Sequence, residues 1–233
     1  MNSLKNPGRF AGVLYLLIII SGIFAEIVVR GAVKEPGNAP ATATNILASE
    51  SLFRFSLLSD FVMIMSYFAL GIVFYHLFKS TNKHMALLLL TLNLIGVPMM
   101  ALNMLNQFSA LLVLTDVDYL QAFTTDQLHS LSLFFMNLHG YGYQLTALSY
   151  GSWLFPLGYV VYQSTFLPKV IGVFLMVASV AILCTFATTF VAPQHLDLVS
   201  MIESIPSVIG EFSLCLWLLI KGVRKEQLKS IKS

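Results

Sequence analysis

Charged residues are scarce in this chain, at 10% of 233 residues, with Lys plus Arg at 13 and Asp plus Glu at 11. A soluble domain carries about 25%, so an ordinary water-soluble globule is excluded. The formal net charge of +2 supplies no electrostatic footprint for nucleic acid. Cysteine is nearly missing too. Cys184 and Cys215 both fall in apolar stretches, which excludes a disulfide framework and a cysteine-based zinc site. Strictly alternating apolar and polar runs are lacking, which argues against a membrane barrel. No G-x-S-x-G elbow, H-E-x-x-H pair, GxxxxGK[ST] loop or dinucleotide fingerprint occurs, so the common hydrolase and nucleotide chemistries find no support.

What the chain does have is long apolar runs, with 57% hydrophobic residues and a mean hydropathy of +0.81. In hydrocarbon every backbone polar group must find a partner within the protein, and continuous apolar runs satisfy that as helices. The predicted fold is all-α: a polytopic transmembrane bundle of about six spans forming one membrane domain over residues 1–233. The spans are placed at 10–29, 52–78, 85–112, 133–162, 170–190 and 207–220. The first is read as a retained span, because no small-residue cleavage site directly follows it. The fourth exceeds one crossing, so its first turns, Gln127 to Asn137, are expected at the interface, with Thr124 or Thr125 as cap.

Lys5, Arg9, Lys79, Lys83, Lys169 and the tail residues Lys221, Arg224, Lys225, Lys229 and Lys232 fall on one side of this arrangement. Glu35, Glu50, Asp116, Asp118, Asp126, Asp197 and Glu203 fall on the other, where Arg30 and Lys34 are the basic loop residues. The positive-inside rule then puts both termini in the cytoplasm. The first external loop, 31–50, holds Pro36, Gly37, Asn38 and Pro40 followed by a short helical stretch, Thr42 to Ser49, and is the expected lid.

Candidate functional residues are the polar groups inside the apolar runs. An ionised side chain at the bilayer centre costs roughly 2.5–3.5 kcal/mol on the insertion scale, so such groups face a bundle interior and have partners. Gly12, Tyr15, Ile19, Gly22, Glu26 and Arg30 follow steps of three or four and share a helix face. Ser56, Asp60 and Tyr67 make a second polar stripe, with Arg54 about 9 Å nearer the outside than Asp60. Asn103, Asn106 and Gln107 lie above a possible kink at Gly96 and Pro98. His139 and Tyr143 stand one turn apart, with Gln144 beside them, and Gly140 and Gly142 are read as packing positions. Ser207, Glu211 and Cys215 repeat at steps of four.

These groups lie at a common depth, which predicts one outward-facing polar pocket lined by Glu26, Arg54, Asp60, Asn103, His139, Tyr143, Gln144 and Glu211. Glu26 or Asp60 is expected to pair with Arg54. Glu211 near His139 would be the pair free to exchange a proton. An interhelical ion pair of purely structural purpose weighs equally for Arg54 and its carboxylate. For His139 a hydrogen bond between helices outweighs metal or haem ligation, since no second histidine matches its depth. No metal set and no cofactor emerges.

Several strings together resemble a known family: Ala11 to Tyr15, Gly22 to Glu26, Ala48 to Arg54, Asp60, Leu138 to Tyr143 and Gly210 to Leu214. It is the bacterial family catalogued as domain of unknown function 4386, and the resemblance runs from Pro7 to Arg224. It implies a bacterial integral membrane protein of about six helices and brings no established activity, ligand or site. The expected function is the binding or transport of a small solute or lipid head group from the plasma membrane's outer side. A lipid-modifying intramembrane enzyme and a non-catalytic envelope scaffold or sensor are the alternatives. Membrane lipids are the expected surroundings; catalytic residues and oligomeric state stay open.

Overall fold

A computed structural model describes residues 6–115 and 118–223. Lys5, Asp116, Arg224, Lys225, Lys229 and Lys232, which entered the orientation argument, lie outside them. Among the described residues the chain is helical throughout. The long helices are α1 (Pro7–Val33), α3 (Glu50–Phe78), α4 (Lys83–Leu112), α5 (Thr125–Gln163), α6 (Lys169–Val191) and α7 (Leu196–Ile220), with a short α2 (Ala39–Ala48) after α1. Five of the long helices are long and apolar enough to cross a membrane. The sixth, α5, is the longest at 39 residues, and its apolar character is diluted by Ser149, Tyr150, Gly151, Ser152, Pro156, Gly158 and Tyr159. About six spans is therefore roughly consistent with the structure.

Local sequence explains the helix ends. At the start of α5 the Gln127 backbone N–H donates to Thr124 Oγ1 at 3.4 Å, and Thr124 N–H donates to Gln127 Oε1 at 2.8 Å. This reciprocal capping box makes Thr124 the cap, of the two threonines, Thr124 and Thr125, that the sequence offered. From there α5 runs on unbroken, and Gln127 to Asn137 form its first turns. Asn38 caps α2 by accepting from Ala41 N–H at 3.1 Å, with Pro40 in the first turn. At the end of α7 Gly222 takes a positive φ of 62°, and its N–H reaches the Leu218 carbonyl at 3.0 Å, a left-handed cap that suits glycine. Helix α4 continues through Pro98, which leaves the Leu94 carbonyl without its usual backbone donor.

The described residues fall into two compact units, and α1, α3, α4 and α5 each contribute a segment to both. Of the described residues the first unit holds 6–17, 66–97 and 144–223. Its interior is aromatic: Tyr15, Tyr67, Phe74 and Trp153 are all at most 1% exposed. Close helix approach within it rests on small residues, since lipid gives apolar faces no reason to prefer each other and contact distance decides. A Cβ on Gly158 would stand 2.6 Å from the Gly172 carbonyl oxygen, and one on Gly172 would stand 2.5 Å from that of Gly158. Only glycine fits on either side of this crossing of α5 and α6. Asn6 ties the start of the chain to the end of α7, donating to the Val223 carbonyl at 2.7 Å and accepting from Val223 N–H at 3.0 Å.

The second unit holds 18–65 and 98–143. Its apolar core gathers Val29, Val33, Ile46, Phe53, Ala110, Leu111 and Met136. The loop expected to serve as a lid is packed into this unit. Ile46 of α2 is part of the core, Thr42 is fully buried, and Asn45 Nδ2 donates to the Val33 carbonyl at 3.3 Å.

Candidate functional site

Within the second unit, Arg30 is the charged centre. It was read from the sequence as a loop residue, but it sits at the end of a π-helical turn, Phe24–Arg30, inside α1 and is only 4% exposed. The wider turn inserts an extra residue into the helical repeat. Ala25, Val29, Arg30 and Val33 thereby face inward, and Glu26 is left at the rim. The Arg30 guanidinium meets Asp60 of α3 in a forked contact, Nη1 to Oδ2 at 2.5 Å and Nη2 to Oδ1 at 3.3 Å. Its Nε donates to Glu26 Oε2 at 2.7 Å, and Nη1 also donates to Gln107 Oε1 of α4 at 2.7 Å. Gln107 passes the chain on, its Nε2 donating at 2.7 Å to Ser56 Oγ, which donates in turn to the Phe53 carbonyl at 2.7 Å.

Asp60, Gln107 and Ser56 are at most 3% exposed, so this inner part of the network lies away from any surrounding solvent and its hydrogen bonds carry more weight than they would in water. Two carboxylates surround one guanidinium. Asp60 is consumed by the forked contact, whereas the Glu26 side chain is 53% exposed.

The expected pairing of Arg54 with Glu26 or Asp60 is therefore incorrect. Arg54 Nε donates to Glu50 Oε1, four residues earlier on the same helix, at 2.7 Å, and both side chains are about half exposed. The reason is rotational: Arg54 and Asp60 are six residues apart on α3, about 120° apart around its axis at 3.6 residues per turn.

Asn103 and His139 clamp α4 to α5 within the same unit. Asn103 Nδ2 donates to the His139 carbonyl at 3.0 Å, and His139 Nδ1 lies 3.2 Å from the Asn103 carbonyl oxygen. Asn106 Nδ2 donates to Asn103 Oδ1 at 2.9 Å. His139 is buried, and its Nε2 has no hydrogen-bond partner. Tyr143 keeps its ring 6.5 Å from that of His139 and is 39% exposed. Gly142 makes room for Asn103, but nothing lies within 4 Å of where a Cβ of Gly140 would stand, so of the two glycines read as packing positions only Gly142 is one.

Glu211 and Gln144 belong to the first unit. Glu211 was expected near His139; its actual partners are phenols. Tyr15 of α1 donates to Glu211 Oε2 at 3.0 Å, and Tyr150 of α5 donates to the same oxygen. No ion pair among the described residues includes Glu211. Tyr15 could be found from its place on the Gly12 face of the first span, whereas Tyr150 is one of several tyrosines in α5 and no spacing singles it out. Gln144 is half-buried. A separate cavity of about 370 Å³ in this unit is lined by Pro168, Ile171, Leu216, Trp217 and Lys221 among others, and by none of the residues proposed from sequence. Among the described residues no three His, Cys, Asp or Glu side chains group as a metal-ligand set.

The ordered strings that carry this geometry, from the first span to Glu211, lie inside a single match: residues 10–222 fit the family described as domain of unknown function (DUF4386). The chain belongs to that family. No curated protein and no solved structure matches it. For this DUF4386 member, then, the chemistry has to be read from the two polar centres themselves. The Arg30 centre is an ionic lock between α1, α3 and α4. The Glu211 centre is a carboxylate held by neutral donors.

Proposed function

We propose that this chain is a multi-pass protein of the bacterial plasma membrane that binds a small solute or lipid head group at an intramembrane carboxylate and transports it. The observation that carries the reading is the contrast between its carboxylates. Asp60 has its cation inside the protein, and Glu211, held by Tyr15 and Tyr150, has none among the described residues. A carboxylate in a medium of low dielectric needs a compensating charge, and a proton or a cationic solute supplies it. Alternating between the two is how a carboxylate couples proton movement to solute movement.

Native mass spectrometry of the protein released from lipid nanodiscs tests this. A small molecule or lipid retained by the parent and lost on Glu211→Gln is the expected result, with the fold kept because glutamine still accepts from both phenols. An adduct pattern unchanged by Glu211→Gln would remove Glu211 from the function. A second reading, a scaffold held by its ionic lock, has support in the bonds Arg30 makes to Asp60, Glu26 and Gln107.

The orientation belongs to the same proposal, with both termini cytoplasmic on the strength of Arg9, Lys79, Lys83, Lys169 and Lys221. In a background with Cys184 and Cys215 replaced by serine, cysteines placed at Gly37 and Asp197 are expected to react with an impermeant maleimide on whole cells. A cysteine at Ser80 is expected to stay unlabelled. Labelling at Ser80 alone would invert the topology.

A further inference from the structure

We infer that the Glu211 centre takes an organic ammonium ion carrying a nearby oxygen, the chemistry of an amino alcohol. The inference rests on the reading of Glu211 as the ligand-binding carboxylate and names its ligand. The first observation is the aromatic wall beside the carboxylate. Trp153 has the Tyr67 ring 5.3 Å away at 65°, the Tyr150 ring 5.8 Å away at 22° and the Tyr15 ring 6.4 Å away at 80°. Tyr67 and Tyr150 are 6.1 Å apart. Ring planes set at such different angles turn π-faces in several directions, and two of these rings, Tyr15 and Tyr150, hold Glu211 through their hydroxyls.

An alkylated ammonium is drawn to such faces within about 6 Å of a ring centroid, and the attraction is greatest where water is excluded. Its charge compensates the carboxylate, which a neutral solute of the same shape cannot do. An inorganic cation would want several oxygen ligands, and here one carboxylate is surrounded by rings.

The second observation specifies the oxygen. The indole Nε1 of Trp153, in a residue 0% exposed, has no hydrogen-bond partner. A buried donor left unpaired costs about 1–3 kcal/mol, and an ammonium group alone has no lone pair to offer the indole N–H. A hydroxyl or ester oxygen one or two carbons from the nitrogen does. Choline and ethanolamine carry that pairing as free solutes, and phosphatidylcholine and phosphatidylethanolamine carry it as head groups.

The experiment uses the full chain in nanodiscs of phosphatidylglycerol, which contains no ammonium, with Trp217→Phe leaving Trp153 as the fluorophore. Choline is titrated against 3,3-dimethylbutan-1-ol, its uncharged isostere, and a parallel sample holds phosphatidylcholine in the disc. Choline, or phosphatidylcholine in the disc, is expected to change Trp153 fluorescence saturably. The isostere is expected to leave it unchanged, and Glu211→Gln to weaken the response about tenfold or more. Tyr150→Phe keeps the ring face but removes one donor to Glu211, and is expected to weaken the response less than Glu211→Gln does. A response to free choline assigns a soluble ligand, and a response confined to the phosphatidylcholine disc assigns a head group. No saturable change in either disc, an equal response to the isostere, or a response indifferent to Glu211→Gln overturns the inference. Mass spectrometry of the same samples separates the two levels: an uncharged adduct lost on Glu211→Gln would defeat the ammonium and spare the wider function, and its absence together with a flat titration would defeat both.

Discussion

Arg30→Met is expected to destabilise the protein by about 3–5 kcal/mol, because Asp60 is then left buried without its cation. The forked contact, with both carboxylate oxygens engaged and Gln107 beside it, has nothing to replace it at 4% exposure. Arg54→Ala is expected to stay within about 1 kcal/mol, the usual worth of an exposed pair four residues apart on a helix. The double variant Arg30→Met/Asp60→Leu should regain much of the loss, since an apolar pair of similar volume removes the uncompensated charge. Denaturant unfolding in mixed micelles, followed by tryptophan emission, orders the three. Equal losses for Arg30→Met and Arg54→Ala would refute the ionic lock.

Trp153→Ala is expected to rank beside it. Trp153 is completely buried and touches the rings of Tyr15, Tyr67, Phe74 and Tyr150, so its removal leaves a void that four rings on three helices cannot all collapse into. Aromatic-to-alanine changes in water-soluble cores cost about 3–5 kcal/mol, part of it transfer from water and part cavity. A helix parted from its neighbours in a membrane meets lipid rather than water, so the transfer part shrinks while the lost packing remains. A loss near the low end, about 3 kcal/mol, is the expected value. Trp153→Phe should recover more than half of it, and a thermal midpoint for Trp153→Ala indistinguishable from the parent would mean that the aromatic interior contributes nothing.

Both centres contain residues the sequence pointed to and partners it missed. Glu26 and Arg30 were legible as neighbours, being four apart on a helix, and Asp60 was legible as an intramembrane charge that needed a cation. Choosing Arg54 for that role overlooked the six-residue spacing, which turns the two side chains away from each other and leaves Glu50, at the right spacing, as the partner of Arg54. The π-helical turn that brings Arg30 inward could not be read, since the residues of Phe24–Arg30, with Glu26 and Arg30 four apart, suit an ordinary α-helical turn equally well. Glu211 was legible as an anomaly in the last span. Its partners were not, because Tyr150 is one of several tyrosines in α5 and a phenol in an apolar run announces no direction.

By itself the sequence determined the apolar surroundings, the helical class, the approximate spans, a cap at Thr124 or Thr125, and that Asp60 and Glu211 need partners. Those are consequences of composition and of spacing along one chain, where a hydrophobic run, a cap residue or a buried charge acts locally. Tertiary structure alone decided which donor meets which carboxylate: Arg30 with Asp60 in one unit, Tyr15 and Tyr150 with Glu211 in the other. In lipid the apolar faces of different helices are interchangeable, so rotation about each axis is set by contacts such as Gly158 against Gly172 and by one widened turn in α1. Such contacts join residues far apart in the chain, and no pattern along it encodes the angle at which they meet.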